Sequence, residues 1–440
     1  MTPAARISAA IEILADLEVR RRPVADALRE WGQTHRFAGS KDRAALATIV
    51  YDALRRRASS AFLMGEDTPR GVLLGMLRLG RGLEAREIAS LFSGERFAPA
   101  ALTEDEYERL AGEIPDMPVA AAGDFPEWLE DSLTRTFGDD VVDEMQALAD
   151  RAPLDIRVNT LKTSRDALAE ALAHFDPEVT PVSSQGLRFH AGEDGRGPAL
   201  QVEPEFLKGL YEIQDEGSQL AALLSLATEG EQVVDLCAGA GGKTLALAAQ
   251  MDNRGQIFAT DIDARRLAAI HARLERSGAR NVQLRVPRGR FDPVRHPEVA
   301  DPLADLAGTV DCVLVDAPCT GTGTWRRNPD AKWRLRPGAL SERLADQAVV
   351  LDRAAGLVKP GGRIVYITCS LLTEENDDAI AAFLERQPDF TSVSPVEVAQ
   401  AAGLEELSSC ATPGGGLLLT PYRTGTDGFY VAQMRKGTSA

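Results

Sequence analysis

Two cysteines fifty residues apart close apolar runs: VDCVLVDAPC ends in Cys319, and GGRIVYITCS carries Cys369 next to its end. Asp316 stands three residues before the first. A thiol in such a place can pack, crosslink, bind metal or attack an electrophile. The chain has five cysteines, Cys237, Cys312, Cys319, Cys369 and Cys410, no CxxC, and five scattered histidines. That spacing makes no zinc site, so no metal is expected. An odd number of cysteines in a chain expected to be cytosolic also speaks against a disulfide framework. Cys312 lies inside its run and reads as packing, and Cys410 has no motif around it. For Cys319 and Cys369 packing and a nucleophilic role both stay open at this point; the second requires that the thiolate be favoured, because a free cysteine is mostly protonated at neutral pH.

The elements that must position this pair follow from periodicity. From about residue 215 the strand-like runs QVVDLCA, GQIFATDID, NVQLRVP, VDCVLVDAP and GGRIVYITC alternate with mostly helical stretches. Such alternation predicts an α/β fold with a parallel, doubly wound sheet. Ligands sit beyond the carboxyl ends of strands in these sheets, so the tips bearing Asp316, Cys319 and Cys369 share one site if their strands pair. The late runs DFTSVSP and DGFYVAQMR fit an antiparallel final hairpin.

Upstream, residues 4–90 read as helical. In SKDRAALATIVYDALRRR, Ser40 serves as N-cap, and Leu46, Ile49, Val50, Ala53 and Leu54 recur at helical spacing. Residues 127–148 hold one or two more helices. Leu154, Ile156 and Val158 then alternate as a strand, Ser164 caps the next helix, and GLRFH and GLYEIQDEG add short strands. Three domains are expected: helical over 1–120, a small α+β unit over 121–210, and the α/β domain over 211–440.

Composition agrees with a multidomain globular chain: 440 residues, 44% hydrophobic and 26% charged. No run approaches about 18 consecutive apolar residues, so no membrane span is expected. Glu12 and Asp16 interrupt the N-terminal apolar stretch, against a secretion signal, and a cytoplasmic monomer is expected. The net charge of −17 opposes nucleic-acid binding by the chain as a whole. Locally, WRRNPDAKWRLR gathers Arg326, Arg327, Lys332, Arg334 and Arg336 against Asp330. That stretch is either an RNA-binding patch or a solvated charge run.

Residues 235–244, DLCAGAGGKT, follow an apolar strand and open a helix, the place where glycines let a backbone approach an anionic ligand. A P-loop needs a glycine separated by four residues from the GK pair, and Cys237 stands there. A dinucleotide loop needs a third glycine where Thr244 stands. S-adenosylmethionine is the third candidate. Its ribose diol suits a carboxylate at the end of the second strand, and TDID supplies Asp261 twenty residues after Gly241, with Asp263 beside it. Asp261 also reads as the N-cap of ARRLAAIHARLE.

A cysteine pair, a carboxyl group and a methyl donor together suit methylation of a pyrimidine ring carbon. C5 of cytosine is a poor nucleophile, and a thiolate adding to C6 gives C5 enamine character. DLCAGAGGKT, TDID, DAPCTGTGTWRRNPDAKW, YITCSLLTEEND and GTDGFYVAQMRK, with RVNTLKTSRDAL and YEIQDEGSQL upstream, resemble the bacterial Sun/Fmu (RsmB-like) RNA cytosine-5 methyltransferases. The resemblance spans roughly 125–436, and the helical region before it resembles the NusB-like RNA-binding domain often fused in that family. It implies a Rossmann-like class I methyltransferase sheet with an antiparallel last strand, a ferredoxin- or RRM-like middle domain, and S-adenosylmethionine as cofactor. It assigns the nucleophile to Cys369, adduct release to Cys319 and the cytosine N3 edge to Asp316. Cys237, Ala238, Gly239, Ala240, Gly241, Gly242, Lys243, Asp261 and Asp316 are implied around the cofactor, and Arg326, Arg327 and Lys332 on RNA. The expected substrate is small-subunit (16S) ribosomal RNA, with tRNA as the nearest alternative. In one departure, Arg288 occupies the place after strand three where the family carries an acid, and Asp292 follows four residues on. That departure motivates a competing reading, an RNA-binding protein that keeps the fold without turnover.

Overall fold

The computed structural model describes residues 1–190, 197–289, 291, 294–296 and 298–438. Two compact units emerge. One comprises Met1–Ala152 with Trp325–Arg336, and the other holds the rest of the described chain from Pro153.

The first unit is helical. Its helices include Pro3–Arg20, Val24–Thr34, Ser40–Arg55, Arg57–Met64 and Pro69–Leu79, and they bury Ile7, Ile13, Leu46, Val50, Leu73 and Leu77. Side-chain caps start several of them: Thr2 accepts from Ala5 N–H, and Thr68 accepts from Gly71 N–H ahead of Pro69. Ser40 is not a cap, because the helix begins at Ser40 itself with Gly39 extended before it. Gly75 lets two helices touch: a Cβ there would lie 2.5 Å from the Ser60 Cα. The helices Glu130–Phe137 and Val141–Ala149 fall within this compact unit.

In the second unit a small sheet has the order β2-β3-β1-β4, from β1 (Leu154–Val158), β2 (Glu178–Val179), β3 (Gly186–Phe189) and β4 (Tyr211–Ile213), with antiparallel pairs throughout. Ile156, Val158, Leu187, Phe189 and Tyr211 form its core.

The large sheet comprises β5 (Gln232–Asp235), β6 (Gln256–Ala259), β7 (Val282–Leu284), β8 (Val310–Asp316), β9 (Val358–Thr368), β10 (Phe390–Ser392), β11 (Leu417–Leu419) and β12 (Phe429–Lys436). Its order is β10-β12-β9-β8-β5-β6-β7, with β11 also on β12. Strands β5 to β9 run parallel, and β12 lies antiparallel to β9. The fold class expected from the alternation is therefore present. The tail differs in one respect: β10 does pair antiparallel with β12, but β12 forms its hairpin with β11, a short apolar strand that sequence reading passed over. Strand β5 lies between β6 and β8, so the chain reverses its winding there and opens a crevice at the carboxyl ends. Among the described residues no helix is long and apolar enough to cross a membrane.

Candidate active site

The glycine loop leaves β5 and enters the helix Gly242–Gln250. Gly239 and Gly241 have positive φ, +51° and +85°, which favours glycine. At Gly241 a Cβ would also sit 2.3 Å from Ile270 Cγ1. The loop is pinned from several directions. Ala238 N–H donates to Thr260 O at 2.9 Å, Gly239 N–H donates to Asp261 Oδ2 at 3.0 Å, and Arg273 Nη1 donates to Ala240 O at 2.7 Å. Asp261 Oδ1 accepts from Asp263 N–H at 3.0 Å. Each Asp261 oxygen thus keeps one lone pair for a ligand. Asp261 is not the cap of the next helix; Asp263 is, accepting from Arg265 N–H at 2.9 Å.

A cavity of about 520 Å³ joins this loop to the cysteines, with Cys237, Asp261, Asp316, Pro318, Cys319 and Cys369 in its walls. Phe291, Val294, Val349 and Val350 add apolar surface. A carboxylate for a diol, a glycine cradle that a Cβ would fill and an apolar wall fit S-adenosylmethionine. Arg288 is exposed and does not line the cavity. Asp292 lies outside the described residues. Burial pushes the Cys237 thiol far up, so it stays protonated and unreactive.

Lys243, expected beside the cofactor, reaches across the strand tips. Its buried ammonium lies 2.7 Å from Asp316 Oδ2 and 5.1 Å above the Phe429 ring. Thr244 donates to Asp235 Oδ2 at 2.6 Å. Asp235 is fully buried and its Oδ1 has no partner, and burial pushes its carboxyl up to about 7.

Pairing of β8 with β9 runs to Asp316 beside Ile367. It brings the two cysteines together, with Sγ atoms 3.4 Å apart and both thiols free. The hydrogen bond to Cys369, then burial, pushes the Cys319 thiol well up. Either sulfur can donate to the other. Gly323 N–H donates to Cys369 O at 2.9 Å, tying the two loops again.

Sequence reading gave no role to Gln347 or Glu375. Glu375 lies inside the quoted run YITCSLLTEEND, which flags its neighbourhood, while nothing local marks Gln347. Both are buried beside the cysteine loops.

The basic stretch requires a correction. Lys332 is 2% exposed and Arg326 5%, both folded into the helical unit, and Arg327 is half-buried. Lys332 Nζ donates to Arg55 O at 3.4 Å, and burial pulls its ammonium down to about 8. Arg55 Nη2 donates to Arg326 O, and Trp333 Nε1 to Leu54 O, each at 2.7 Å. Arg326 and Lys332 thus do not present their charge at the surface of this structure.

Residues 221–435 match the family model described as 16S rRNA methyltransferase RsmB/F, and residues 125–194 match an RsmF/B-like ferredoxin-like domain. A probable ribosomal RNA small subunit methyltransferase B of Synechocystis sp. is 33% identical over 315 residues, 71% of this chain and 67% of that protein. A ribosomal RNA small subunit methyltransferase F of Enterobacter sp. is 33% identical over 285 residues, covering 64% of this chain and 56% of that protein. The solved structure of PH0851 superposes with a TM-score of 0.70 at 26% identity and covers 99% of each chain. The first family-model match covers the glycine loop and the paired cysteine tips, the second lies upstream of it, and the Synechocystis relative matches at 33% identity over 67% of its length, so the chain belongs to the RsmB/F family of 16S rRNA methyltransferases.

Proposed function

We propose that this protein transfers a methyl group from S-adenosylmethionine to C5 of a cytosine in 16S ribosomal RNA, in the cytosol, through a transient bond between Cys369 and C6. The observation that carries this reading is the thiol pair, 3.4 Å apart, in the cavity that also holds Asp261 and Asp316.

S-adenosylmethionine, when bound, supplies an electrophilic methyl group. The glycine loop and Asp261 hold it, with Asp261 accepting from the ribose hydroxyls. The Cys369 sulfur adds to C6 of the ring, and its lone pair becomes the S–C6 bond. Electron density moves to C5, which would take the methyl group as the methyl–sulfonium bond breaks, leaving S-adenosylhomocysteine. Asp316, oriented by Lys243, faces the N3 edge of the ring. Loss of the C5 proton to solvent returns its electron pair to the C5–C6 double bond and expels the Cys369 sulfur with the S–C6 pair. Cys319, whose sulfur lies 3.4 Å from that of Cys369, assists the release.

The test is a pair of variants. Cys369→Ala should abolish methyl transfer, and Cys319→Ala should accumulate a covalent protein–RNA complex that survives denaturing electrophoresis. Full activity in Cys369→Ala would overturn the roles. Bisulfite sequencing of RNA from a deletion strain identifies the substrate, and loss of a tRNA mark alone would replace rRNA by tRNA.

A further inference from the structure

Strand pairing positions the two cysteines only as far as Asp316 beside Ile367, with Ala317 N–H donating to Ile367 O at 2.8 Å. Beyond that point the ladder ends, and the loops are joined by separate bonds: Gly323 N–H donates to Cys369 O at 2.9 Å and Leu371 N–H to Thr322 Oγ1 at 2.7 Å. Neither reaches the residue directly before Cys319 or the one directly after it. Glu375 does reach the one after it. It is fully buried. Its Oε1 accepts from Thr320 N–H at 2.8 Å and from Gln347 Nε2 at 3.0 Å. Its Oε2 accepts from the hydroxyls of Thr320 and Ser370. Thr320 follows Cys319 and Ser370 follows Cys369, so one carboxylate grips the residue after each cysteine. Gln347, on the helix Pro337–Leu357, also donates to Pro318 O at 3.0 Å and so holds the residue before Cys319.

All four donors to Glu375 are neutral, and they match the four acceptor positions of a carboxylate. Burial raises the Glu375 carboxyl, and the bonds from Ser370, Thr320 and Gln347 oppose that rise. Burying a carboxyl group is costly, and ordinary packing between two loops would not require one. Glu375 is itself fixed, because its carbonyl accepts from Tyr366 Oη at 2.7 Å and the neighbouring Asn376 Nδ2 donates to Ser370 O at 2.9 Å.

We propose that Glu375 is the positioning residue that sets the separation and orientation of Cys319 and Cys369, acting through Thr320, Ser370 and Gln347. The catalytic part of this inference rests on the proposed roles of the two thiols; the geometric part does not. The experiment therefore has two readouts on the full-length protein. The first is the rate at which diamide closes a Cys319–Cys369 disulfide, followed by peptide mass mapping; diamide takes up the two electrons and two protons that the thiols lose. The second is steady-state methyl transfer. Glu375→Ala removes all four acceptor positions, whereas Glu375→Gln keeps the carbonyl for Thr320 N–H and Gln347. Closure should slow by about tenfold or more in Glu375→Ala, since small misplacements of reacting groups cost on the order of a hundredfold. Glu375→Gln should be intermediate, a rescue by shape that a purely electrostatic role would not give. kcat should fall in the same order, with KM for both substrates held within about twofold.

Closure at the wild-type rate in Glu375→Ala overturns the proposal, as does a Gln variant no better than the Ala variant. If Glu375→Ala does not fold, Ser370→Ala loosens the same clamp from one end, and an unchanged closure rate there overturns the proposal too. Slowed closure in a protein whose wild type shows no methyl transfer would leave the positioning role standing and remove the functional reading instead.

Discussion

Asp235 sits at the end of β5 with Thr244 bonded to one carboxylate oxygen and nothing bonded to the other. Burial raises its carboxyl from the usual 3.8 to about 7. The sign follows from proton linkage: between these values the folded chain binds a proton that the unfolded chain does not. Its contribution to stability is fully present below pH 3.8 and is lost as pH rises through about 7. Asp235→Asn keeps an acceptor for Thr244 and removes the titration. We expect it to stabilise the protein by on the order of 1–3 kcal/mol above neutral pH and to have little effect near pH ~4. Denaturant titrations at the two pH values check this, and equal effects at both would refute it. Other residues gained definition in the same way. Asp261 could be read from sequence as a ribose ligand or a helix cap. The fold gives the cap to Asp263 and turns Asp261 to the Gly239 amide. Lys332 shows the opposite limit, since lysine and arginine spacing says nothing about which side of the chain meets a core.

At the scale of elements, the glycine loop is held by close approach on one side and a helix on the other. Gly241→Ala would place a methyl group at φ +85° against Ile270. The strain, roughly 1–3 kcal/mol, falls on the loop, so the expected outcome is a loss of S-adenosylmethionine affinity of about tenfold or more. Calorimetry measures it, and unchanged affinity would mean that the loop does not carry the cofactor. The parallel strands were legible because each is an apolar run bounded by a helix, a pattern that few folds share. Strand β11 was not, because three leucines have no period to read and are a strand only because β12 lies beside them. The tail therefore looked like one hairpin from β10 to β12, whereas the hairpin is β11 with β12.

Over the whole molecule, the chain leaves the α/β unit after Thr324, contributes Trp325–Arg336 to the helical unit, and returns at Pro337. Trp325 and Lys332 are buried there, and Trp333 bonds the Leu54 carbonyl. Deleting residues 1–120 would remove the groups that bury this stretch. Such a truncated protein should be cut rapidly by trypsin between Arg326 and Arg336, whereas the full chain resists. Equal resistance would show that the stretch holds its structure without the helices. A linear division of the chain does not show this excursion, because residues 325–336 lie far along the chain from the helices they join.

By itself the sequence determined the layered α/β fold, the glycine loop, the acid after β6 and the two cysteine tips. Each is a local pattern: an apolar period, a turn that demands glycine, or a short motif at a strand end. Only the tertiary structure decided what those patterns touch. It set the thiols 3.4 Å apart, joined Lys243 to Asp316, and buried Lys332. It also put Glu375 between two loops. Distances between residues far apart in sequence, and the burial that shifts their protonation, arise from strand pairing and packing, which no single stretch of chain encodes.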